Sequence, residues 1–151
     1  MTTFAYSGFI NALFTALSGA ATLTGVKIYD GPQVGVKYTG ECVVVGHDGN
    51  LDGDIQSGSS QNDYLSFGQQ TSEEDGSVNC FLTVVPGSTD LKTLRDRAYV
   101  LLSAVDSLLR SNPTVSSVAM AGIQSQRLEY FYVSQVLAAR IDFVIAYKAI
   151  T

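Results

Sequence analysis

Residues 89 to 111 carry apolar side chains at three- and four-residue steps: Leu91, Leu94, Ala98, Leu101, Val105 and Leu108. That spacing draws one apolar stripe down a long helix. A single stripe has to be buried against something else, and a sheet is the expected support. Thr89 is placed to cap the helix, and Asp90 favours the positive end of its dipole. Arg110 falls in the last turn, and Ser111-Asn112-Pro113 ends the element.

The flanking sequence reads mainly as strands. Val26 to Tyr29 alternates and stops at the turn residues Asp30-Gly31-Pro32. Glu41 to Gly46 holds the unbroken run Cys42, Val43, Val44, Val45, which suits a strand buried on both faces. Tyr64–Phe67 and Ser77–Val85 read as two strands of a hairpin around an acidic tip, Thr71 to Gly76. After the helix, Val115–Gln124 and the alternation of Leu128, Tyr130 and Tyr132 read as β. Ile141, Phe143, Ile145 and Tyr147 give the clearest period of two in the chain. Ser134 to Val136 is expected to turn this last hairpin. His47 to Asp63 collapses into Gly, Asp, Ser, Gln and Asn and reads as a long polar loop. Helix, strands, helix, strands is the order of an α+β fold. The expectation is a mixed or antiparallel sheet, with an N-terminal helix and a long central helix packed on it and long acidic loops. The 151 residues fit one domain, 1–151.

The N-terminal helix is unusual because the first charged side chain of the chain is Lys27. Ser7, Asn11, Thr15, Ser18 and Thr22 recur on one side, and Phe9, Ile10, Leu13, Phe14 and Leu17 on the other. The regular polar positions argue against a membrane span, and no basic segment precedes the apolar stretch as in a secretory signal. The helix is amphipathic, with a polar face that is uncharged. Ser7, Asn11, Thr15 and Ser18 are therefore candidates for contact with another subunit.

Hydrophobic residues at 46% and charged residues at 15% exclude a disordered chain. A net charge of −5 argues against gripping nucleic acid by its phosphates. The charge is unevenly spread. Residues 38 to 91 contain nine acids and no Lys or Arg, while the remainder is net basic. Glu73, Glu74 and Asp75 are the densest group, and are expected to solvate a loop tip, to meet a basic partner or to repel DNA.

Chemistry is sparse. GxSxG, HExxH, P-loop and post-strand GxGxxG patterns are absent, and the one histidine, His47, has no nucleophile at a recognisable spacing. No catalytic residue and no cofactor is expected. Cys42 and Cys80 show no metal spacing; they read as two buried thiols, with a bridge between neighbouring strands as the alternative. Asp48, Asn50, Asp52 and Asp54, with Gly53 and Ile55, match the first part of an EF-hand-type calcium loop. Ser59 stands where the closing bidentate Glu belongs, so the segment reads as a Gly/Asp-rich loop, and a calcium site there would bind poorly.

Val26-Lys27-Ile28-Tyr29-Asp30-Gly31-Pro32, followed by Val43-Val44-Val45-Gly46-His47-Asp48-Gly49 and by a last strand Ala139-Arg140-Ile141-Asp142-Phe143-Val144-Ile145, resembles tail terminator (tail-completion) proteins of long-tailed, non-contractile phages. The resemblance spans nearly the full length in layout and about two dozen residues in motif. It implies a virion structural protein without catalytic residues, at the tail–neck junction and assembled in the host cytoplasm. It implies a homo-oligomeric ring, usually a hexamer, on the head-proximal end of the tail tube. Such a ring stops tube polymerisation, meets the tail tube protein and the head connector or neck protein, and lets DNA pass through its bore without specific binding. No membrane partner is implied. A different neck, head–tail joining or tail tube protein is the near alternative; a calcium- or ligand-binding module is the alternative of another class.

Overall fold

The computed structural model describes residues 4–33, 40–50, 53–64, 72–85, 90–111, 120–133 and 135–150. The architecture is α+β, with six strands in one mixed sheet and two helices on one of its faces. Helix α1 spans Tyr6–Ser18, followed by a short 3-10 turn at Ala21–Leu23. Strands β1 (Lys27–Asp30), β2 (Glu41–Val45), β3 (Gly58–Tyr64) and β4 (Ser72–Val84) come next. Helix α2 (Leu91–Ser111) leads to the closing pair β5 (Met120–Val133) and β6 (Val136–Ile150).

The sheet order is β1-β2-β4-β6-β5, with β3 also on β4. β4 is long enough to hold two partners on the same side: β2 covers Cys80–Val84 and β3 covers Ser72–Val78. Among the described residues β1 and β2 run parallel and the other pairings are antiparallel.

Residue alternation divides the sheet into two unlike faces. Val43, Val78, Leu82, Ile141, Phe143 and Ile145 point toward the helices and form one core with Phe9, Leu13 and Leu17 of α1. α2 contributes Leu94, Ala98, Leu101, Leu102, Val105 and Leu109. Its buried stripe differs from the sequence reading at both ends, because Leu91 is 43% exposed and Leu108 gives way to Leu109. A row repeating every 3.6 residues drifts round the helix, so strict three-and-four counting misplaces its last members. The cap moves by one residue as well. Asp90 caps α2 itself, accepting from the Lys92 N–H at 3.2 Å and the Thr93 hydroxyl at 2.7 Å, and Thr89 lies outside the described residues.

The acidic tip is corrected by the structure. Glu73, Glu74 and Asp75 are not in a loop but in the first half of β4, and residues read as polar loop form its partner β3. Residues 65–71, between the two strands, lie outside the described set, and with them most of the strand expected at Tyr64–Phe67. The strand expected at Val115–Gln124 and the alternation after it are one continuous β5 from Met120, with an irregularity between Ile123 and Ser125; residues 113–119 lie outside the described set. Gln135 takes the left-handed φ of 68° that turns the last hairpin.

The sheet and α1 are joined at a buried carboxylate. Glu74 is 0% exposed; it accepts from the Tyr147 hydroxyl at 2.8 Å and from the Ala5 N–H at the start of α1. A side chain anywhere on Gly76 would strike the Tyr147 ring, whose atoms lie 2.3–2.4 Å from an added Cβ. Glycine there lets Tyr147 reach Glu74 and stack on Phe9 at 4.6 Å between ring centres. Burial, reinforced by the bond to Glu74, raises the Tyr147 pKa, so the phenol keeps its proton and remains the donor.

Candidate functional site

The first two of the segments that carry the resemblance become neighbours in space. β1 and β2 pair parallel from Lys27↔Cys42 to Asp30↔Val45, and the Gly31 N–H donates to the Val45 carbonyl at 2.7 Å. Both strands then leave the sheet at the same end through left-handed glycines, Gly31 at φ 72° and Gly46 at φ 76°.

His47 follows directly and is 1% exposed. Its backbone N–H donates to the Asn79 carbonyl at 2.9 Å, and its ring stands edge-on to Phe81 at 4.9 Å. Nδ1 accepts from the Gly49 N–H at 2.9 Å, so the ring is the neutral tautomer protonated at Nε2. Burial lowers its pKa below the ordinary histidine value; Arg140 acts in the same direction, and Asp48 and Asp142 oppose it. The residue shapes a turn and, neutral and sealed, is a poor proton shuttle.

The calcium-loop candidates are drawn into the same turn. Asp48 accepts from the Asn50 N–H at 2.9 Å through Oδ1 and from the Gln56 N–H at 3.1 Å through Oδ2. Desolvation pushes the Asp48 pKa up, but these backbone bonds outweigh it and hold the carboxyl below its usual value. The Asn50 amide donates to the Asp54 carbonyl at 3.0 Å, while Asp52 lies outside the described residues. Among the described residues no group of three or more His, Cys, Asp or Glu side chains is arranged to hold a metal ion. The loop closes on its own oxygens.

Of the partner-contact candidates, Ser7, Asn11, Thr15 and Ser18 are all exposed on the outer side of α1. The acidic group is divided. Glu73 and Asp75 pair with Lys148 at 3.1 and 3.3 Å, and Glu74 is the buried anchor of α1, out of a partner's reach. The sequence missed a second set on the helix-free face. There Arg127 pairs with Glu129 and Asp142, both at 3.1 Å, and Arg140 pairs with Glu129 at 2.6 Å and Asp142 at 3.1 Å. Alternation of charged with apolar residues in Arg140, Asp142 and Lys148 was the available signal. What could not be read was that β5 would bring Arg127 and Glu129 opposite them. A trough of about 740 Å³ crosses this face over Ser59, Ser77, Gly122 and Ala146.

The thiols are both free and buried on opposite faces, since Cys42 pairs across to Thr83 while Cys80 pairs to Val45. Burial raises the pKa of Cys42 and pushes that of Cys80 up to about 12, so neither is a ready nucleophile. Among the described residues no helix is long and apolar enough to cross a membrane. In comparisons with known proteins, the sequence matches no family model and no curated relative.

Proposed function

We propose that the chain is a phage tail terminator: a virion structural protein that forms a homo-oligomeric ring on the head-proximal end of the tail tube. The ring stops tube growth and joins the tail to the head connector, without catalysis. The observation that carries this reading is the pairing of the two resemblance-bearing segments in β1 and β2, which end together at Gly31-Pro32 and Gly46-His47-Asp48-Gly49. It is supported by an exposed α1 face without a charged residue, where a subunit contact would bury no charge. The paired charges of the helix-free face fit a wall past which DNA slides, because cations that already hold carboxylates have less to offer phosphates.

Purified protein examined by native mass spectrometry and negative-stain imaging is expected to give one closed ring, most simply a hexamer. Added to polymerising tail tube protein, it is expected to cap and shorten the tubes. Copolymerisation along the tube would favour a tube subunit instead. A stable monomer that never rings, even with tube protein present, would refute the reading.

A further inference from the structure

Alongside Ser72–Val78 the strand order is β3-β4-β6-β5, antiparallel at every step. Among the described residues, β3 and β5 are paired on one side only. Four antiparallel strands run up, down, up, down, so the two outer strands point in opposite directions. A second copy related by rotation about an axis along the strands brings its β3 beside β5 in antiparallel sense. The alternation then continues without a break, and the contact is head-to-tail, the kind that closes rings.

Chemistry favours the same edges. Outer strands that stay single are commonly guarded by Lys, Pro or other charges. β3 (Gly58–Tyr64) and the first half of β5 (Met120–Gln126) contain no Lys, Arg or Pro, and Asp63 is their one charged residue. The second half of β5 has Arg127 and Glu129, both engaged with β6 on the same sheet. The two unguarded edges also lie at one level: Gln61 aligns through Asp75 and Lys148 with Met120, and Ser59 through Ser77 and Ala146 with Gly122.

We propose that β3 of one copy adds to the free edge of β5 at Met120–Gln126 of the next, so that the sheet runs on from subunit to subunit around the ring. This rests on the ring reading above and specifies its interface. The bulky helix layer takes the outer, convex side of the curved wall, and the ion-paired face of Arg127, Glu129, Arg140 and Asp142 turns toward the bore.

Cysteine pairs test the contact. Gln61→Cys or Ser59→Cys is combined with Met120→Cys or Gly122→Cys, giving four double variants that allow for register. Within one chain β3 and β5 are separated by two strands, about 14 Å, well beyond the roughly 7 Å Cα limit for a disulfide. Under mild oxidation at least one double variant is expected to give a covalent ladder up to ring size on a non-reducing gel, while each single variant stays monomeric on that gel. Met120→Cys alone forming dimers that stop at two would show symmetric β5–β5 pairing and overturn the proposal. No ladder from any double variant, in samples whose native mass is that of a ring, would overturn strand addition and leave the ring standing. A monomeric native mass for the wild-type protein, with tube protein present, would remove both.

Discussion

At the scale of single residues, two polar side chains matter most because they are buried. Glu74 holds the Ala5 N–H just before α1 and the Tyr147 hydroxyl, so Glu74→Leu leaves one part-buried and one buried donor without their acceptor. A loss of about 2–4 kcal/mol is expected in denaturant unfolding, since each orphaned donor costs on the order of 1–3 kcal/mol. Gly76→Ala is expected to cost about 1–3 kcal/mol by forcing Tyr147 off its rotamer. His47 gives the fold a pH dependence with a definite sign. Its pKa is lowered in the folded state, so the unfolded chain takes up the proton first. The contribution is complete above the ordinary histidine value of about 6.5 and is lost as pH falls from there toward the lower folded value. Asp48, also lowered, adds a loss in the same direction, but only below the ordinary carboxylate range. Unfolding free energies measured at about pH 8 and pH 5.5 are expected to differ more in the wild type than in His47→Asn, whose amide oxygen can accept from Gly49 without titrating. Equal pH dependence in both proteins would exclude His47 as the source.

Elements were legible in proportion to how far their burial left a period in the sequence. α2 was clear because one side faces the sheet and the other faces solvent. β6 was clear for the same reason, with Ile141, Phe143 and Ile145 inward and Arg140, Asp142 and Val144 outward. β3 was not legible. Its residues, Gly58 to Tyr64, are nearly all polar and only Gly58 and Asn62 are partly buried, so no alternation marks the strand. The first half of β4 was misread for a related reason. Glu74 occupies an inward position that is normally apolar, and what makes it tolerable is Tyr147, more than seventy residues away. The candidate site followed the same rule. The uncharged positions of α1 lie where helical spacing puts them, whereas the ion-pair lattice depends on the β5–β6 register, which no local pattern encodes. The shift of the α2 cap can be checked at this scale. Asp90→Ala is expected to cost about 1 kcal/mol, as for other N-caps, measured by thermal or denaturant unfolding. Removing the exposed Arg97–Glu41 pair at the other side of the helix by Arg97→Ala is expected to cost under about 1 kcal/mol.

For the whole molecule, the distribution of charge takes on a different meaning once the chain is folded. Among the described residues of the acid-rich stretch from 38 to 91, most acids are engaged rather than free. Glu41 is held by Arg97, Glu73 and Asp75 by Lys148, Asp90 by the start of α2, Asp48 by its own loop, and Glu74 is buried. The described surface also carries exposed aromatic side chains such as Tyr132, at 78%, and Tyr64, at 75%. With so many of these acids already paired, the proposed ring would rest on backbone edges, on the uncharged face of α1 and on apolar burial, and salt screens none of these strongly. The proposed oligomer is therefore expected to keep its mass and its dissociation constant, within about threefold, between about 0.05 and 1 M NaCl, over which the screening length falls to about 3 Å. Analytical ultracentrifugation across that range measures it. If the assembly instead falls apart as salt rises, the contact runs through charges, and Glu73 and Asp75 exchange Lys148 for a neighbour's basic residue. Lys148→Gln separates these cases: it leaves a salt-insensitive ring intact and changes a salt-sensitive one, because it frees both carboxylates on the helix-free face.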